Sequence, residues 1–87
     1  MFVQPVRFDR HARKRMKERE VSDDEVLHVI EYPDLDEPSI KGRFDSYKLI
    51  GGRHVRVTYK KESDYMLVIT VTVRKKSFKE PNDENRI

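Results

Sequence analysis

The sequence predicts an α+β domain in which a short N-terminal extended segment and a two-helix pair pack on a three- to four-stranded antiparallel sheet. Three observations carry this. Apolar residues recur at helical spacing through residues 8–19, a complete helix-start signature stands at residues 22–25, and from Arg43 the apolar period drops to two around Gly51-Gly52. At 87 residues the chain can bury one small core, and with charged residues at 40% and the hydrophobic set at 36% that core is thin. Residues 1–74 read as the single domain and residues 75–87, mostly polar with one Phe and one Pro, as a flexible tail.

Val3 to Phe8 suits an extended segment at a sheet edge, because Pro5 lacks the amide that a central strand would use. Asp9 is placed to cap the first helix, since a short carboxylate accepts from the orphan amides of a first turn. That helix runs to about Glu20, with Phe8, Ala12 and Met16 on its buried stripe and His11, Arg15 and Arg19 within and along the stripe's edge. Ser22-Asp23-Asp24-Glu25 is a capping box, Val21 and Val26 hold the staple positions, and the acids suit the positive end of the helix dipole. Val26, Leu27 and Ile30 form the apolar stripe of helix two, and Pro33 ends it near Glu31. With their ends so close in sequence, the helices form a tight pair.

Tyr32 to Ile40 carries two prolines and three acids and reads as loop. Arg43 to Ile50 and Arg53 to Lys60 then form a hairpin, whose glycines supply the positive φ of a tight turn. In its second strand Val55, Val57 and Tyr59 face the core, while His54, Arg56, Thr58 and Lys60 face away. After a turn at residues 61–64, Tyr65 to Val73 is apolar or Thr throughout, which predicts a strand covered on both faces. Strict alternation puts Leu67, Ile69, Val71 and Val73 on one face and Met66, Val68, Thr70 and Thr72 on the other.

Several function classes lose their chemistry here. The chain has no cysteine, so it carries neither disulfides nor thiolate sites, and His11, His28 and His54 lack metal-ligand spacing, so no metal or cofactor is expected. The longest apolar run, Tyr65 to Ile69, is far below the ~20 residues that span a bilayer. With no leader visible, a cytoplasmic location is expected. The net charge is only +3, but it is segregated: residues 1–20 hold seven bases and three acids, residues 21–40 seven acids and no base, residues 41–60 six bases and one acid. A folded chain with one basic face is expected to meet a polyanion.

RNA cleavage needs no metal, because the substrate's 2′-hydroxyl is the nucleophile. The protein must supply an acid/base group and cations at the phosphate. His11 suits the first task, with Arg15 one turn on and Arg56 from the hairpin as its catalytic partners. Arg19, Arg43, Arg53, Thr70 and Thr72 are the candidate phosphate ligands. Each has a structural alternative. Arg15 can pair with Glu18 and Arg19 with an acid of helix two, the hairpin arginines can be a solvated face, and threonine is common in strands.

The pattern Phe8-x-x-His11-Ala12-x-x-Arg15-Met16-x-x-Arg19, followed by Val21-Ser22-x-x-Glu25-Val26, Pro33, Lys41-Gly42-Arg43 and a closing Val-Thr-Val strand, resembles the small domain of unknown function numbered 4258. The resemblance spans Val6 to Arg74, and its H-A-x-x-R-M-x-x-R segment is the specific part. In its order of elements the chain is also similar to the RelE and BrnT toxins of toxin-antitoxin pairs, whose members cleave messenger RNA without a metal. The resemblance implies a metal-independent endoribonuclease or toxin relative acting on RNA, with an antitoxin-like protein partner. It stresses His11, Arg15 and Arg19, and more loosely Arg43, Arg56 and Thr72. The modest net charge departs from a strongly basic toxin, and the alternative is a non-catalytic RNA- or protein-binding module.

Overall fold

In the computed structural model, which describes residues 4–78, Asp9 both ends a strand and starts a helix. Strand β1 is Val6–Phe8 and helix α1 is Arg10–Arg19. The Asp9 carboxylate accepts the His11 amide at 2.9 Å, and the Asp9 amide donates to the Val68 carbonyl at 2.9 Å. Glu20 closes α1 in the left-handed region, at φ 55°. The capping box is complete: the Glu25 amide donates to Ser22 Oγ at 3.1 Å and the Ser22 amide to Glu25 Oε1 at 2.9 Å. It opens α2, Asp23–Glu31. Val21 and Val26 are both in the core.

Strand β2, Leu35–Pro38, lies inside the stretch expected to be loop. A short 3-10 turn at Ile40–Gly42 leads into the hairpin of β3, Arg43–Ile50, and β4, Arg53–Lys61. At its tip Gly51 and Gly52 sit at φ 55° and 80°, where a side chain would be strained. Strand β5, Met66–Arg74, completes a sheet of order β1-β5-β4-β3-β2. The expected three- to four-stranded antiparallel sheet is therefore a five-stranded mixed one, because β1 runs parallel to β5 and β2 adds an edge.

Both helices lie on one face. α1 packs on β5 and α2 on β3 and β4, so each is seated by the sheet and not by the tight helix pair expected; the exposed Arg13–Asp23 ion pair at 2.6 Å links the two. The core is rich in valine: Val26, Val29, Val55, Val57, Val68 and Val71 are almost completely buried beside Ala12 and Met16. Each such valine contributes on the order of 1.5–3 kcal/mol. Val29 takes the place on α2 expected of Leu27, which is half-buried.

Two expectations for β5 are overturned. Among the described residues no helix covers its second face, where Thr58 and Thr70 pair. Strict alternation also fails, because Thr58 pairs with Thr70 but Tyr59 with Val68, leaving Ile69 as an extra residue in a β-bulge. The bulge reverses the side-chain parity on either side of it. Val68 therefore joins Val71 in the core instead of sharing a face with Thr70 and Thr72. Of the expected tail, Ser77 and Phe78 are half-buried, while residues 79–87, like Val3 of the expected extended segment, lie outside the described residues.

Candidate functional site

His11, Arg15 and Arg19 recur every four residues along α1, beside the buried Ala12 and Met16, so they form one row at the margin of the helix–sheet contact. The other wall follows from the shortness of β1. It pairs with β5 only from Met66 to Val68, and the chain then turns away at Asp9. Beyond Val68 the outer edge of β5 has no neighbouring strand among the described residues. A groove of about 300 Å³ opens there, lined by His11, Arg15, Arg19, Thr70, Val71 and Thr72. Val71 faces the core and the two threonines face the opposite way, so the groove wraps around the strand edge from the helix side to the uncovered side.

Among the described residues no carboxylate lines this groove. Arg15 Nη1 donates to Glu18 at 3.1 Å, but both side chains are about two-fifths exposed, so the pair is screened and is worth well under ~1 kcal/mol. An incoming phosphate can displace Glu18 at little cost. Two guanidinium groups and two hydroxyls can then donate to its oxygens, with the imidazole available for proton transfer.

The hairpin arginines do not line the groove. Arg56 stands between the buried Val55 and Val57, and strand alternation puts it on the uncovered face. There its Nη2 donates to the Thr72 hydroxyl at 3.5 Å. Arg53 has the parity of Val55 and points to the helix side, where it donates to the carbonyls of Arg19 at 2.8 Å and Glu20 at 3.3 Å and approaches Glu25 at 3.4 Å. Arg43 pairs with Lys60 at the end of the hairpin away from its glycine turn. Arg43, Arg53 and Arg56, expected at the phosphate, are thus not in the groove's lining, and the threonines of β5 stand across from the α1 row.

Sequence reasoning missed two further clusters. Under the helix-side face, Ser46 Oγ donates to Asp36 at 2.9 Å and Tyr59 Oη does so at 3.3 Å. Burial, then the Asp36 charge, raises the Tyr59 pKa. With β2 read as loop, nothing signalled the approach of Asp36. The second is a mostly apolar cavity of about 270 Å³ between Leu35, Tyr47, Leu49, Val55 and Phe78, with Asp34, Lys48 and His54 on its lining. The Leu49 amide, and after it the Lys48 ammonium, hold the Asp34 carboxyl below the usual carboxylate range against an opposing desolvation effect.

Among the described residues no group of three or more His, Asp or Glu could hold a metal ion, and no helix is long and apolar enough to cross a membrane. A family model described as "Domain of unknown function (DUF4258)" matches residues 8–73. No curated protein and no solved structure matches. Nothing in these comparisons connects the chain with the RelE or BrnT toxins.

Proposed function

Because the chain belongs to the DUF4258 family, whose description assigns no chemistry, we propose a function from the groove: a metal-independent endoribonuclease related in mode of action to RelE and BrnT toxins. The observation that carries this reading is the placement of His11, Arg15 and Arg19 with Thr70 and Thr72 around one groove at an open strand edge, with no carboxylate among its described lining residues. In such a reaction the substrate's 2′-oxygen bonds to phosphorus as the bond to the 5′-oxygen breaks, giving a 2′,3′-cyclic phosphate and a 5′-hydroxyl. One proton leaves the 2′-hydroxyl and one reaches the 5′-oxygen. His11 serves one of these transfers and water the other, while Arg15 and Arg19 offset the charge that gathers on the phosphorane.

A second reading, a non-catalytic RNA-binding module, is favoured by one observation: among the described residues that line the groove, His11 is the single acid/base side chain. One experiment separates the two. With a structured or ribosome-bound RNA, His11→Ala should abolish cleavage and leave affinity within a few fold. Arg15→Ala should weaken binding and lower the salt slope by about 0.7 for each phosphate of single-stranded RNA that is no longer neutralised. RNA binding by a preparation that never cleaves leaves the module reading, and affinity indifferent to salt ends both.

A further inference from the structure

The uncovered sheet face carries an arrangement with no part in the groove chemistry above. The ring of Phe78 lies against two guanidinium groups, 4.9 Å from the Arg56 carbon and 4.8 Å from that of Arg74. Tyr47 flanks it with ring centroids 5.6 Å apart. Phe78 follows the end of β5 at Arg74 by four residues, so the chain doubles back over its own sheet to seat it. The seat is chemically incomplete. Among the described residues Arg56 Nε is buried with no hydrogen-bond partner, and Nη2 donates to the Thr72 hydroxyl at the long distance of 3.5 Å. A phenyl ring offers its face to a guanidinium but has no acceptor atom at its edge. A nucleobase offers both, and every base has a stacking face.

Thr72 joins this seat to the groove. Its residue lines the groove, its hydroxyl accepts from Arg56, and one interstrand step of about 4.8 Å separates the paired residues. We propose that Phe78 occupies a base-stacking site on the uncovered face. A single-stranded RNA with a phosphate in the groove places a neighbouring base over Arg56 and Arg74 by displacing that ring. The inference rests on the groove being an RNA-phosphate site. It makes Phe78 an internal competitor of the base, so the chain restrains its own affinity for RNA.

Fluorescence anisotropy tests this on the full chain with two labelled probes of equal length, an adenine-bearing single-stranded RNA and its abasic counterpart. Phe78→Ala should tighten binding of the base-bearing probe about five- to thirtyfold and leave the abasic probe unchanged. Phe78→Leu keeps apolar bulk without a ring. It should change affinity in the same direction and covers the case in which the alanine variant fails to fold. Arg15→Ala should weaken both probes. If Phe78 variants leave the base-bearing probe unchanged or weaken it while Arg15→Ala still weakens both, the stacking site is overturned and the groove stands. If neither probe binds the wild-type chain or the Phe78 variants, the groove reading falls and takes this inference with it.

Discussion

Arg53→Ala should cost about 2 kcal/mol of folding stability and leave RNA affinity unchanged. Arg53 Nη1 makes one short bond to the Arg19 carbonyl at 2.8 Å, and Nη2 makes two long contacts, to the Glu20 carbonyl at 3.3 Å and to Glu25 at 3.4 Å. A hydrogen bond involving a charged group contributes ~1.5–3 kcal/mol net. The Arg53 and Glu25 side chains are about one-third exposed, so the short bond is taken at ~1.5 and the long contacts together at ~0.5 kcal/mol. The orphan carbonyls at the α1 C-terminus would have only water to replace the cation. For a domain of this size the loss corresponds to a fall in Tm of roughly 8–16 °C. Urea titration followed by far-UV circular dichroism reads it directly, with an unchanged m-value showing that the unfolded state is not the cause. A loss below ~0.5 kcal/mol, or a tenfold loss of RNA affinity at unchanged stability, would refute the reasoning and return Arg53 to the phosphate ligands.

Two other substitutions test elements away from the groove, the α2 cap and the Asp34 contact with β3. Ser22→Ala removes half of the reciprocal cap on α2 and should cost about 1 kcal/mol in the same titration, and no measurable change would mean that the cap is redundant. Asp34→Asn should destabilise the chain at neutral pH. The folded pKa of Asp34 is lowered from 3.8, so its contribution is complete above that value and is lost as pH falls through the folded one. The stability gap between wild type and variant should therefore be flat from about pH 5 to 8 and close at lower pH; a gap that persists in acid would contradict the assignment.

The parts of the fold that were legible are those fixed by neighbours in sequence. Asp9, the Ser22–Glu25 box and Gly51-Gly52 each set a backbone angle or bond an amide within a few residues, so the residues alone reveal them. β2 is different. Leu35 is exposed and Asp36 is held by Ser46 and Tyr59, so its strand character comes from distant partners and leaves no apolar alternation to read. The bulge at Ile69 was equally hidden, because in a run that is apolar or Thr throughout nothing marks an extra residue. In the groove, the spacing of His11, Arg15 and Arg19 was enough to group them. The hairpin arginines were misplaced for a reason the sequence did contain: Arg53 shares parity with Val55 and Arg56 does not, so the two could never have faced one wall.

The short β1 has a consequence for how copies of this molecule treat each other. A sheet edge with unpaired amides and carbonyls invites a strand from a neighbouring chain. The β2 edge is short and ends in Pro38, which blunts it. The β5 edge beyond Val68 consists of residues with high strand propensity and has no such protection of its own. What stands over it is the His11–Arg15–Arg19 row, and the like charge of its two arginines repels a second copy. The side chains that attract an anion thus also act as gatekeepers against self-association. Neutralising them, by alanine substitution or by a bound polyanion, should lower the protein concentration at which light scattering first detects aggregates. If that threshold did not move, repulsion by these cations would not be what keeps the edge apart.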